Sequence, residues 1–281
     1  MKLAFSTLPC EGWSTEKLIH YCTTHGFAGI ELREGDEFQI SSSTRMEEVE
    51  RISSMIANAG VSVTNIGSSV CVKGTSVEET NLAMRAFEQM VPLANGLQAT
   101  GIRIFLGNFA RRYDAPKEQL DYGKIVEFIQ WACDYAALHE REVWIETHNE
   151  FATGKALSPL LRDVARENCK VIWDVIHSLE DGEEPEETIA MLGNRCVHIH
   201  LKDGRPFDDP MQHDWEYTFF GEGNIPIPRI VSLLQGAGFE GYLSLEWEPK
   251  WREELRVPWA EAEVVLPKYA NDMRKLLERT R

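Results

Sequence analysis

Long apolar runs are missing from this 281-residue sequence: no stretch approaches the ~20 residues of a membrane helix. The first apolar stretch, residues 3–5, falls short of the ~7–15 residues of a secretory core, and Pro9 directly before Cys10 argues against a lipid-modification site. The opening MKLAFSTLPC therefore reads as a first strand. Basic clusters are missing as well. Lys and Arg total 29 against 45 Asp and Glu, for a formal net charge of -16, and no basic run exceeds Arg111-Arg112. Such a field repels nucleic acid and anionic membrane, although one local Arg can still capture a small anion. None of the six cysteines (Cys10, Cys22, Cys71, Cys133, Cys169, Cys196) lies in a CxxC or in zinc-ribbon spacing. They read as small, reduced core residues of a cytoplasmic protein. No linker or low-complexity stretch interrupts the chain, so residues 1–281 read as one domain.

What is present is an alternation of short apolar runs and longer helical patterns. Strands are expected at residues 3–6, 27–32, 61–66, 101–106, 142–146, 171–174, 196–201 and 242–247. Helices are expected between them at residues 14–25, 44–60, 76–95, 122–139, 158–167, 184–192 and 227–236, with a last one at 260–277. Gly26 stops the first helix, and Thr44/Glu47 and Ser76/Glu79 have capping-box spacing. Eight strands alternating with eight helices, apolar on nearly every residue in strands three to seven, predict a (β/α)8 TIM barrel. A doubly wound open sheet would carry a glycine-rich turn after strand one, which Leu8-Pro9-Cys10-Glu11-Gly12 lacks. The longest irregular segment is residues 203–223, after strand seven.

The ends of the last four strands carry the chemistry. Strand five ends in Trp144-Ile145-Glu146-Thr147-His148, and strand six runs through Ile172-Trp173-Asp174 to His177. Strand seven reads His198-Ile199-His200-Leu201-Lys202, and strand eight reads Ser244-Leu245-Glu246-Trp247-Glu248. In a barrel these positions converge at the C-terminal mouth, and residues two apart share a face. Three carboxylates in one pocket repel each other, and a divalent cation removes that conflict. Glu146, Asp174, His200 and Glu246 make a three-oxygen, one-nitrogen set that suits one ion of Mn, Mg, Co or Zn. His198 reads as a hydrogen-bonded core histidine. Glu31, Asn108, His148, Lys202 and Glu248 line the pocket or support it. Trp13 forms an apolar wall or packs under the first loop, and Gly221 and Gly223 shape the loop before the next helix. Trp251 and Trp259 mark a homo-oligomer interface or close the pocket.

At these residues the chain resembles the xylose-isomerase-like barrel superfamily, in its sugar phosphate isomerase/epimerase branch. The resemblance rests on Glu31-Leu32-Arg33, Glu146, Asp174 with His177, His198 to Asp203, Gly221-Glu222-Gly223 and Leu243 to Glu246. Likeness to its ketose 3-epimerases implies that Glu146 and Glu246 bind the metal and move the proton, and that Asp174 and His200 complete the metal shell. It implies that His177 touches the substrate carbonyl oxygen, and that Arg205, one position early for the family's arginine, helps to hold substrate oxygens. The expected activity is a metal-dependent isomerase or epimerase of a keto sugar or related polyol. A dehydratase of a keto-cyclitol or dehydroshikimate-like substrate is the alternative, starting from a similar enolate. A third member of the superfamily, endonuclease IV, needs three zinc ions and extra histidines from earlier strands. This chain has no histidine between His25 and His139, and Trp215-Glu216-Tyr217 stands where an Asp-x-His is expected. DNA repair is therefore disfavoured, as is a non-enzymatic barrel, given the intact ligand set.

Overall fold

The computed structural model describes residues 1–108, 119–207 and 215–280; the Arg111-Arg112 pair lies outside them. Eight parallel strands form the centre: β1 Lys2–Ser6, β2 Gly29–Arg33, β3 Ser62–Gly67, β4 Gly101–Leu106, β5 Glu142–Glu146, β6 Cys169–Asp174, β7 Cys196–Leu201 and β8 Tyr242–Leu245. Their order is β3-β2-β1-β8-β7-β6-β5-β4, and β3 pairs β4 through Asn65 with Gly101 and Ile66 with Ile102, closing the barrel. This is the expected (β/α)8 TIM barrel.

The period-two pattern of the strands divides their side chains between two environments. One set, including Ile102, Ile104, Val143, Ile145, Val171, Trp173, Ile199, Leu201, Leu243 and Leu245, belongs to the apolar core. Each such side chain contributes roughly 1.5–3 kcal/mol by leaving water. The helices supply the other half of that core from one stripe each: Leu18 and Cys22 of α1 Thr15–His25, for example. The other helices are α2 Met46–Asn58, α3 Val77–Gly96, α4 Tyr122–Ala137, α5 Gly154–Val164, α6 Val175–Glu180, α7 Pro185–Leu192, α8 Ile227–Gly236 and α9 Ala262–Arg279. The alternate strand residues turn into the barrel. At its floor the Trp144, His198 and Tyr242 rings lie 5.5 and 6.2 Å apart in sequence. Gly29 makes room for them, because a Cβ there would come within 2.5 Å of the Tyr242 ring.

Several helix ends follow local chemistry, and others lack a side-chain cap. Ser14 accepts from Lys17 N at 3.2 Å, and Gly26 closes α1 at φ 72°. Ser76 accepts from Glu79 N, but the Glu79 carboxylate reaches the Lys73 and Gly74 amides instead of completing a capping box. The box expected at Thr44/Glu47 does not form. The Thr44 hydroxyl accepts from Ser41 N, and α2 starts after Arg45 without a side-chain cap. α5 starts earlier than expected, because Thr153 caps Ala156 N.

Two further departures bear on function. Residues 175–180, for which no helix was expected, form α6. The segment after β7 contains an antiparallel hairpin, Asp203–Pro206 against Trp215–Thr218, where an irregular loop was expected. No helix of the described residues is long and apolar enough to cross a membrane. All six cysteines are unpaired thiols.

Candidate metal centre

The inward residues of the strand ends meet across the barrel. Arg103 of β4 places Nη1 3.0 Å from Glu146 Oε2, 3.1 Å from Glu246 Oε1 and 3.5 Å from Glu31 Oε1. β4 neighbours neither β2 nor β8 in the sheet, so these contacts cross the barrel interior. All four side chains are buried. Arg103 escaped the sequence reading. Its signal was present: one charge between Ile102 and Ile104 in an otherwise apolar strand. Such a residue must face inward and must meet opposite charge.

Glu146, Asp174, His200 and Glu246 come together as the strand-end pattern required. One ligand atom from each lies within 4.8 Å of the others. Their own packing leaves atoms over. Asp174 Oδ2 and His200 Nδ1 are buried with no hydrogen bond of acceptable angle. Asp174 Oδ2 is only in ion-pair range of Lys202 Nζ, at 2.6 Å, and His200 Nδ1 of Glu246 Oε2, at 3.2 Å. Three carboxylates and one imidazole with ligand atoms within 4.8 Å of one another fit a divalent cation.

The surrounding groups set the charges. Burial alone would raise Glu246, but the charges of His200 and Lys202 hold its carboxyl well below the usual range. Burial raises Asp174 to about 6, against the pull of Lys202 and His177. Asp174 Oδ1 also accepts from Ile176 N at 3.1 Å, capping α6. That helical turn brings His177 back, with Nε2 3.4 Å from Asp174 Oδ2 and Nδ1 3.2 Å from Glu180 Oε2. Burial works against the His177 charge, but the two carboxylates outweigh it and lift the ring to about 9. His148 packs 4.4 Å from that ring and is pushed down to about 3, by burial first and the His177 charge second.

Lys202 is fully buried, with Nζ also 2.6 Å from Glu246 and 2.8 Å from Glu248. Burial would lift the Glu248 carboxyl, but Lys202 brings it down to about 2, and the Tyr217 hydroxyl donates to it at 3.2 Å. Asn108 lies at the mouth, its side-chain amide donating to Glu150 at 3.0 Å.

Two expected placements change. Arg205 is exposed on the hairpin and donates twice to the Glu222 carbonyl, at 2.7 and 3.2 Å, so the structure does not bring it to the cluster. His198 is a core residue, but neither ring nitrogen has a hydrogen bond. Trp13 packs on α1, 4.6 Å from the Tyr21 ring. Gly221 and Gly223 do shape their loop: both amides donate to Asp203 Oδ2, at 2.8 and 3.0 Å. Trp251 and Trp259 are both exposed, and Trp259 also rests on Phe219, with ring centres 4.8 Å apart.

Known proteins with the same architecture can now be compared. A 3-dehydroshikimate dehydratase of Bacillus anthracis is 27% identical over 187 residues, 66% of this chain; the match spans 65% of that relative, less than two thirds of its length. The structure of an L-ribulose 3-epimerase superposes with a TM-score of 0.78 at 16% identity, covering 100% of this chain and 95% of that one. The IolI protein, solved with a zinc atom, superposes with a TM-score of 0.76 at 16% identity, covering 100% and 98%. Likeness at that identity shows the shared fold. The family described as xylose isomerase-like TIM barrel matches residues 19–263. The chain therefore belongs to the xylose isomerase-like TIM barrel family.

Proposed function

We propose that the protein is a divalent-metal-dependent isomerase or epimerase of a keto sugar or related polyol. Glu146, Asp174, His200 and Glu246 would hold the ion, and Glu146 and Glu246 would move the proton. One observation carries this reading: the two glutamates are placed almost symmetrically. They lie 3.0 and 3.1 Å from Arg103 Nη1, and 3.6 and 3.2 Å from His200 Nδ1. Inverting a carbon beside a carbonyl needs two such groups, one on each face of a flat enediolate. When bound, a divalent ion supplies Lewis acidity that stabilises negative charge on a substrate oxygen. Glu146 takes the proton from one face and Glu246 returns one to the other, or the reverse. Arg103 keeps both carboxylates in place and balances their charge. His177, lifted to about 9, is a cationic donor for the same oxygen. We further read residues 1–281 as one domain whose partner is a small carbohydrate-like molecule. The net charge of -16 speaks against nucleic acid.

A dehydratase is the second reading, and a specific asymmetry favours it. Lys202 and His177, both cationic, flank Asp174 at 2.6 and 3.4 Å. A cationic donor there can protonate a departing hydroxyl while a glutamate removes the neighbouring proton. The dehydratase relative supports the same reading. Incubation with keto sugars and keto-cyclitols in D2O separates the two. An epimerase returns a deuterated stereoisomer, and a dehydratase returns a product lighter by one water. Glu146→Gln and Glu246→Gln should each lower turnover by ~10²-fold or more. Undiminished turnover in both variants, with neither exchange nor water loss, refutes enolate chemistry at this site.

A further inference from the structure

We infer that Glu31 is a positioning residue of the metal centre, acting through His200, and that it does not meet substrate. The inference rests on the metal reading above. An imidazole that offers Nδ1 to a cation carries its proton on Nε2. A carboxylate opposite Nε2 then fixes the tautomer, orients the ring and raises its basicity. Glu31 stands in that place. Its Oε2 is 2.9 Å from His200 Nε2, while His200 Nδ1 faces Glu246 and Glu146 at 3.2 and 3.6 Å. The other oxygen of Glu31 faces Arg103 Nη1 at 3.5 Å.

The surroundings of Glu31 are filled by protein groups. The residue is 0% exposed. Gly67, at the end of β3, is shaped around it, because a Cβ there would come within 2.9 Å of Glu31 Oε1. Glu31, His198 and His200 also have ligand atoms within 4.8 Å of one another, which makes Glu31 a conceivable ligand of a second ion. Glu31 Oε2 is 2.9 Å from His200 Nε2 and its Oε1 is 3.5 Å from Arg103 Nη1, so the geometry assigns it the orienting role.

The test uses the whole protein with 15N-labelled histidine rings and Zn2+ as the probe ion. Wild type should bind about one equivalent and show a His200 Nε2–H resonance displaced by its carboxylate hydrogen bond. Glu31→Leu should shift that resonance and weaken Zn2+ binding by ~10–100-fold. Glu31→Gln retains an acceptor oxygen and should weaken binding less. Gly67→Ala alters no polar atom and should also weaken binding, by displacing Glu31. The inference is overturned if the Leu and Gln variants, folded by circular dichroism, bind Zn2+ within about twofold of wild type with the His200 resonance unmoved. It is also overturned if wild type binds a second equivalent that Glu31→Gln loses, which would make Glu31 a ligand. A wild type that binds no Zn2+, Mn2+, Mg2+ or Co2+ fails differently: it removes the metal reading itself, and this inference with it.

Discussion

The two faces of the same strands differ more than any two domains need to. Along β4, Ile102 and Ile104 face the helices, and Arg103 between them faces three carboxylates. Along β7, Ile199 and Leu201 are core, whereas His198 and His200 are buried inside the barrel. The outer face is held by area removed from water, which is forgiving of identity and nearly additive. The inner face is held by charges that cost several kcal/mol each to bury and are tolerable only together. One face makes the barrel stable, and the other spends part of that stability to keep a reactive cluster dry.

The largest expected effect breaks the inner face. Arg103→Met leaves Glu31, Glu146 and Glu246 without their shared cation, and should lower stability by ~3–5 kcal/mol in the presence of a chelator. Saturating Mn2+ should recover much of that loss, because it restores positive charge among the carboxylates. Urea unfolding with and without the ion measures both, and an unchanged midpoint under chelator would show that Arg103 does not balance the cluster. The matching change on the outer face is Ile199→Ala. It should cost ~2–5 kcal/mol whatever the metal, and leave turnover per folded molecule unaltered. A metal-dependent loss there would mean that the two faces are coupled.

The smallest effect is one of pH. Burial, with the neighbouring His200 charge, lowers the His198 ring to about 3. The folded protein therefore refuses a proton that the unfolded chain takes up near ~6.5. The associated stability is complete above the unfolded value and is lost as pH falls from there toward 3. Relative to His198→Gln, wild type should lose as much as ~1.4 kcal/mol per pH unit in that window. His148 is lowered similarly, remains in both proteins and cancels in the difference. Parallel stability curves from pH 7 to 4 would show that His198 exchanges protons freely.

Legibility followed the same division. Glu146, Asp174 and Glu246 were readable because each follows an apolar run, and His200 because of the His-x-His alternation near the end of its strand; a barrel brings strand ends together. Glu246 was readable even though β8 stops at Leu245. Arg103 was not sought, because it sits within its strand and not at the end. Arg205 was placed by analogy of position, and the hairpin Asp203–Pro206 with Trp215–Thr218 carries it to the surface. His177 was named from the family resemblance, and its closeness to Asp174 has a cause the sequence pattern did not show. It returns to Asp174 because the chain turns helical there, and residues three apart on a helix share a face.

By itself the sequence determined the barrel, since the alternation of apolar strands and amphipathic helices is local and repeats eight times. It also determined which strand ends carry acid and imidazole. Only the tertiary structure decided the partners: that Glu31 meets His200 from across the barrel, that Arg103 joins Glu146 to Glu246, and that Lys202 lies beside Asp174. These pairs are 169, 43 and 143, and 28 positions apart in the chain. No local pattern encodes such a contact. It arises when closing the sheet puts inward-facing charges within a few ångströms in a medium that screens them poorly.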